Sequence, residues 1–406
     1  MVKKPNLRIA IISIFSFPIG LAATNRIIAY SKGLIENGCS VDIYIPEPSD
    51  RPDLINLYGN SGEYQGINYY YTTGRFRNKY KIIRALSILT FYRKISGFCS
   101  TRKLITKENK VSQYHSVIIS NDMLSYLFYF CFLAKKIDAK SVFIFDEYPV
   151  PIRHKLKNNI PNWKKQLYKH ALRHVNAYIS ISDALSTYYN SFAVHKTFIL
   201  PVILDTSRFN KIKLKEAPNS KKYLCYMGNM ELSKDNVDII INAFSILSKE
   251  YPDLILNLFG NPSISDLNNL KSLIEKLQLK RRVFIMGKIN SENVAEILAN
   301  AYILVSSQPE TLRASGGFPT KLGEYLASGT PALITNVGEN ARYVNDKEHI
   351  FFVKPNDFND YANKLRFIID NYEFAKMVAL KGKQFVNEKY SHKTMGAKLK
   401  EFLISI

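Results

Sequence analysis

Short apolar, β-branched runs alternate with longer segments of helical spacing along the whole chain. In the first half the runs are LRIAIISI (7–14), SVDIYIP (40–46), SVIIS (116–120), SVFIF (141–145), AYISIS (177–182) and TFILP (197–201). Between them lie stretches such as TNRIIAYSKGLIENG (24–38) and NWKKQLYKHALRHV (162–175), with the spacing of helices. A second series follows the lysine-rich stretch NKIKLKEAPNSKK (210–222): YLCYMG (223–228), LILNLFG (254–260), RVFIMG (282–287), YILVSS (302–307), PALIT (331–335) and IFFVKP (350–355). Strands separated by helices imply βαβ units and parallel sheets, here twice over. The pattern therefore predicts an α/β protein of two doubly wound, Rossmann-like domains facing one another, 1–208 and 209–384. A last helical stretch, from about 373, is long enough to cross back, with about 385–406 returning to the first domain. In such sheets ligands bind outside the carboxyl ends of the strands, so chemistry is expected in the loops that follow them.

At 406 residues there is room for two cores, and 46% hydrophobic with 22% charged residues describes a globular chain rather than a disordered one. The four cysteines, Cys39, Cys99, Cys131 and Cys225, form no CxxC and no His/Cys cluster. That excludes a disulfide scaffold, gives no zinc signature and fits a reducing cytoplasm. The start MVKKPNLRIAIISIF reads as a first core strand rather than a signal peptide, because Pro18 and Gly20 follow it in a strand-turn-helix pattern. No run reaches the length of a membrane span; the nearest, MLSYLFYFCFLAKKI (123–137), reads as a buried helix. The charge is uneven. Residues 1–200 carry 28 Lys+Arg against 12 Asp+Glu, the remainder 28 against 22, and residues 75–110 hold 11 bases and a single acid, Glu108. Such a field attracts phosphates, whether in nucleic acid, anionic lipid or a diphosphate-linked substrate.

Three strand-end loops carry candidate chemistry. After the first strand, Gly20 lets the backbone approach a ligand and Thr24 opens a helix whose N–H groups favour an anion. Arg26 in that first turn opposes the helix dipole, which suggests an anionic partner. In YMGNMELSKDNVDIIINAF (226–244), Lys234 lies within reach of anything bound at the strand end, although alone it would be an ordinary solvated lysine. The block GGFPTKLGEYLASGTPALIT (316–335) is the most specific. Gly316 and Gly317 can offer N–H groups to a diphosphate, Pro319 suits a helix start, and Thr320 and Lys321 fall in the first turn. Glu324 sits one turn on, among apolar Leu322, Tyr325 and Leu326, where a carboxylate can accept both hydroxyls of a ribose. A nucleoside diphosphate satisfies all of these groups.

Nearly end to end, the chain resembles the retaining GT-B glycosyltransferases of glycosyltransferase family 4, the group that builds bacterial surface polysaccharides. The resemblance rests on the glycine-bearing first loop, FIFDEYP (143–149), YISISDALSTYY (178–189), LDTSRFN (204–210), the Gly-to-Lys loop and the GGFPTKLGEYLASGTPAL block. It implies transfer of a sugar from a nucleotide donor, uridine by default with guanosine open, and with no metal or other cofactor. Lys234 would then sit on the donor phosphates, and Asn229 stands where the family has an arginine. Glu324 matches the second glutamate of the family's Glu-x7-Glu pair. The first falls on Gly316, with Glu310 nearby but out of register, so the sugar-side contact passes to the backbone of Ser315, Gly316, Gly317, Phe318 and Pro319. Asp146 and Glu147 stand where the family carries a histidine followed by an acid, so one of them is expected to face the reacting sugar and to orient or deprotonate an acceptor hydroxyl.

The segment RFRNKYKIIRALSILTFYRKISGF (75–98) sets Ile82, Ile83, Leu86, Ile88, Leu89 and Phe91 beside Lys81, Arg84, Arg93 and Lys94, the pattern of an interfacial helix on anionic lipid. A domain helix with snorkelling lysines has the same appearance. The first reading implies a cytoplasmic protein, peripheral on the inner membrane surface, with Gly20, Thr24 and Arg26 on a glycan or polyprenyl-diphosphate-linked acceptor. An inactive GT-B scaffold and a nucleotide-sugar epimerase share the same architecture. A nucleic-acid-binding protein would explain only the charge, since the tyrosines fall in strands and helices rather than among the bases.

Overall fold

The apolar runs pair into two separate sheets in the computed structural model, which describes residues 7–20, 22–50, 58–78, 80, 82–83, 85–86, 91–153, 159–201, 203–210, 212, 222–317 and 320–406. The first compact unit comprises the chain up to Ile203 together with His392–Ile406. Its strands are β1 (Arg8–Ser13), β2 (Ser40–Ile45), β3 (Ser61–Tyr64), β4 (Ile67–Tyr71), β5 (Ser116–Ser120), β6 (Lys140–Phe145), β7 (Ala177–Ser180) and β8 (Lys196–Ile199), in the order β3-β4-β2-β1-β5-β6-β7-β8. All neighbours are parallel except β3 and β4. Central strands are covered on both faces: Ile9, Ala10, Ile11 and Ile12 on β1, and Val117, Ile118 and Ile119 on β5, are buried.

The β3–β4 hairpin is absent from the pattern of apolar runs. Gln65 and Gly66, at φ 54° and 80°, form its two-residue turn. β4 buries Ile67, Tyr69 and Tyr71 in strict alternation, so its period of two is carried mainly by tyrosines. The helices of this part are α1 (Ala22–Glu36), α2 (Tyr92–Val111), α3 (Leu124–Lys136), α4 (Val150–Arg153), α5 (Asn162–Leu172) and α6 (Asp183–Asn190). As expected for 123–137, α3 buries Tyr126, Leu127, Phe130, Cys131, Leu133 and Ala134. Among the described residues no helix is long and apolar enough to cross a membrane.

The second unit, Leu204–Ser391, has a fully parallel sheet of order β11-β10-β9-β12-β13-β14. Its strands are β9 (Tyr223–Met227), β10 (Ile255–Phe259), β11 (Val283–Gly287), β12 (Ile303–Ser306), β13 (Ala332–Thr335) and β14 (Phe351–Val353). Its helices are α7 (Ser207–Asn210), α8 (Leu232–Asp235), α9 (Val237–Glu250), α10 (Ile264–Lys276), α11 (Ser291–Ala299), α12 (Leu312–Gly316), α13 (Thr320–Ser328), α14 (Asn340–Tyr343), α15 (Phe358–Asp370) and α16 (Tyr372–Tyr390). The apolar stripe of α9 (Ile240, Ile241, Phe244, Leu247) and that of α15 (Leu365, Ile368) close over Leu256, Leu258, Ile303 and Val305. The chain winds one way from β9 to β11 and the other way from β12 to β14. Adjacent β9 and β12 thus mark the reversal where the covering helices diverge and leave a crevice at the strand ends. In the first unit β1 and β5 hold the same position.

The stretch expected as one helix from about 373 is two. Ser391 leaves the helical conformation (φ −60°, ψ 149°), so the chain passes to the first unit at His392 rather than near 385. The final helix α17 (His392–Ile404) packs on α1. Gly33 and Gly396 meet at the crossing: a Cβ on Gly396 would run into the backbone of Gly33, and one on Gly33 into the carbonyl of His392. Lys400 Nζ donates to Asn37 O (2.6 Å), and Asn37 Nδ2 donates to Lys393 O (3.0 Å).

Candidate functional site

Lys321, in the first turn of α13, reaches back under the end of β9. Its Nζ donates to Asp235 Oδ1 at 2.8 Å and to Tyr226 Oη at 2.9 Å, and it lies 4.5 Å from the centre of the Tyr226 ring. Gly228 permits this approach, since a Cβ there would collide with the Lys321 ammonium and the Tyr226 hydroxyl. Asp235 is 2% exposed. Burial pushes its pKa up, but the Lys321 ammonium overrides burial and holds the carboxyl below its ordinary 3.8. Burial drives the Tyr226 phenol far above its usual range, so it remains neutral. An ammonium has three N–H donors, and among the described residues two of those of Lys321 find acceptors.

Glu324 pairs with Arg208 of α7 at 3.4 Å. Burial pushes the Glu324 carboxyl above its ordinary 4.5, and Arg208 draws it back only in part. Leu322, Tyr325 and Leu326 are buried as expected. Tyr325 ties the two strand ends together: its hydroxyl donates to Val305 O (3.1 Å) and accepts from Met227 N (3.3 Å). Lys321 and Glu324 therefore sit at the β9/β12 reversal, each with its own partner and with no ion pair between them among the described residues.

The other expected donor-site residues are placed less uniformly. Lys234 is half-buried on α8 beside Asp235 and makes no ion pair among the described residues, while Asn229 and Glu310 are exposed. Gly316 is buried at the end of α12. The Gly317 N–H, expected to face a diphosphate, instead donates to Ala314 O (3.2 Å), because the short α12 closes its last turn on itself. Phe318 and Pro319 lie outside the described residues, and Thr320 opens α13. Sequence reasoning singles out neither Asp235 nor Arg208, nor the pair Arg313–Glu231 (3.2 Å) that joins α12 to the loop after β9. The partners are 86, 116 and 82 residues apart, and no local spacing signals such pairing.

In the first unit the loop after β1 is knit together by its own side chains. Thr24 Oγ1 donates to Ser16 O (2.7 Å), and a Cβ at Gly20 would strike both. Arg26 is buried; its Nη2 donates to Leu200 O (3.1 Å) and its Nη1 lies 3.9 Å from Asp146 Oδ2. Arg26 thus has one anionic neighbour within the chain, Asp146. Asp146, 43% exposed, presents its carboxylate at the end of β6, with Glu147 half-buried beside it.

Of the basic segment, Lys81 and Arg84 lie outside the described residues, as do Ile88 and Leu89. Arg75 is buried against Asp50 at 2.5 Å, so its charge does not reach the surface. Arg93 pairs with Glu47 at 3.2 Å, and Glu47 also accepts from Tyr126 Oη (2.9 Å). Lys94 Nζ approaches Met123 Sδ at 3.9 Å. Along the same stretch of sequence Tyr80, Ile82, Ile83, Leu86, Phe91, Tyr92 and Ile95 are exposed, an unusual density of large apolar side chains.

Comparison with known proteins adds independent findings. Residues 207–385 match the family model described as Glycosyl transferases group 1. A mannosylfructose-phosphate synthase of Agrobacterium fabrum is 29% identical over 34% of this chain and 31% of its own length. An alpha-1,3/1,6-mannosyltransferase of Dictyostelium discoideum is 24% identical over 66% of this chain and 64% of its own. The chain thus spans less than two thirds of the length of either relative. A crystal structure of Anabaena HepE in complex with UDP and glucose superposes with a TM-score of 0.67 at 13% identity, covering 99% of this chain and all of the other. Residues 207–385 are thus similar to the glycosyl transferases of group 1, in a chain whose two α/β units have the GT-B fold.

Proposed function

We propose that this protein is a retaining glycosyltransferase of family 4 that moves a sugar from a UDP-type donor to a glycan acceptor in bacterial surface polysaccharide synthesis. The observation that carries this reading is the Lys321 ammonium, fixed by Asp235 and Tyr226 at the β9/β12 reversal one turn from Glu324. A donor diphosphate meets the third N–H of Lys321, with Lys234 on the neighbouring loop. Glu324 exchanges Arg208 for the ribose hydroxyls. Charge that builds on the departing diphosphate is stabilised by cations already in place, which costs no reorganisation at the moment of transfer and calls for no divalent metal. The departing diphosphate takes the acceptor proton on the face it leaves, which gives retention. The UDP and glucose bound by the Anabaena protein support this choice of donor, and the similarity to a mannosyltransferase of Dictyostelium discoideum supports sugar transfer.

The acceptor is assigned to the first unit, where Asp146 or Glu147 orients its hydroxyl near Gly20, Thr24 and Arg26. The exposed apolar side chains beside Lys94 support an acceptor carried on polyprenyl diphosphate and a peripheral seat on the cytoplasmic face of the inner membrane. Incubating the purified chain with a panel of UDP- and GDP-sugars, with and without lipid-linked acceptors, tests the reading by mass spectrometry. Consumption of one donor supports it. Conversion of a donor to its epimer without acceptor would instead identify an epimerase, and nucleotide binding without any turnover would identify a scaffold.

A further inference from the structure

Cation–carboxylate pairs surround the loops after β9 and β12, and they differ in which partner can leave. Lys321 is locked to Asp235, whose side chain is 3% exposed. Arg208 and Glu324 are about equally covered, at 25% and 22%. In the third pair Arg313 is the covered member, at 15%, while Glu231 is 41% exposed. Withdrawing Asp235 would strand a buried charge, but Glu231 can turn into water at little cost, as is usual for exposed ion pairs. The loop itself stays in place when it does so, because the Lys234 and Asp235 N–H groups donate to the main-chain O of Glu231 (2.9 and 2.7 Å). The segment 231–235 is thus gripped at both ends by cations from the β12–α13 connection, Arg313 at Glu231 and Lys321 at Asp235.

We infer that Arg313 is a second phosphate-binding cation of the donor site, and that Glu231 stands in for the diphosphate while the site is empty. The inference rests on the nucleotide-donor reading above. When the diphosphate arrives, a phosphoryl group replaces the Glu231 carboxylate on the same guanidinium, and no covalent bond changes. The planar guanidinium fork donates to two phosphate oxygens at once, a contact that an ammonium such as Lys321 does not make. The Arg313–Glu231 pair holds the fork oriented before the ligand comes, so less freedom is lost on binding.

Calorimetric titration of the full chain with UDP and with uridine tests this. Arg313→Met is expected to weaken UDP about tenfold or more, the loss of a charged hydrogen bond, and to leave uridine within about twofold. Glu231→Gln, which removes the competing charge, is expected to tighten UDP by about two- to fivefold, an exposed-pair effect. That gain should vanish when Glu231→Gln is combined with Arg313→Met. Since Glu231 is exposed, its variant keeps the test open should Arg313→Met not fold. Equal losses for UDP and uridine in Arg313→Met would make the arginine structural, and weaker UDP binding by Glu231→Gln would remove the stand-in role; either overturns the inference alone. A parent protein that binds neither ligand overturns the donor reading and this inference with it.

Discussion

Replacing Asp235 by Asn removes one charge from the pair that positions Lys321 while keeping the shape of the side chain. The carboxylate is 3% exposed and lies 2.8 Å from an ammonium that is 19% exposed. Breaking a buried ion pair costs about 3–5 kcal/mol where the surviving charge is fully enclosed. Here the survivor can partly hydrate and Asn still accepts one hydrogen bond, which brings the expected loss to about 2–3 kcal/mol. Denaturant unfolding followed by circular dichroism at neutral pH should show an earlier midpoint with an unchanged slope. Trp163, the chain's one tryptophan, lies on α5 in the first unit, so its fluorescence is a control for the unit that does not contain the substitution. The pH dependence follows from the depressed pKa of Asp235. A carboxyl lowered in the folded state stabilises above its unfolded value, near 3.8, and loses that contribution as the pH falls through its lower folded value. Parent and variant should therefore converge in acid. Equal midpoints at neutral pH, or a gap undiminished in acid, would refute the pairing argument.

Glu324 titrates in the opposite sense. Burial raises its pKa, so folding becomes less favourable as the pH rises from 4.5 through the folded value, and Glu324→Gln should raise the unfolding midpoint at neutral pH. The same variant should weaken UDP by about 1.5–3 kcal/mol in calorimetry, as expected for a charged hydrogen bond to ribose; unchanged affinity would remove Glu324 from the donor site. Sugar transfer should proceed fully in a chelator, and a strict requirement for manganese or magnesium would count against stabilisation by Lys321 and Lys234 alone. Neutralising Lys81, Arg84, Arg93 and Lys94 together should release the protein from anionic vesicles while sparing nucleotide binding, at about 1 kcal/mol for each charge near the surface. Arg93 is already engaged by Glu47, so it should contribute least. Co-sedimentation equal to the parent at moderate salt would make the acceptor a soluble one.

Period and composition alone indicate twelve strands of the two sheets, because burial on both faces forces continuous β-branched runs, and every one of the twelve runs named from the sequence is a strand. They also direct the search for chemistry to the segments after the strands: Asp146 directly follows β6, and Lys321 on α13 returns to Tyr226 of β9. The β4 strand escapes notice because tyrosines carry its alternation, and the break at Ser391 because nothing local demands that a good helix former stop there. What only the tertiary structure decides is which charges are paired. That Lys321 is paired with Asp235 of α8, and that Arg26 has Asp146 beside it at the end of β6, is visible only in the folded chain. Strand and helix signals are written in neighbouring residues. The strength of an ion pair depends on distance and burial, and for these pairs both are set only when segments far apart in sequence, 82 positions for Arg313 and Glu231, come together around a sheet.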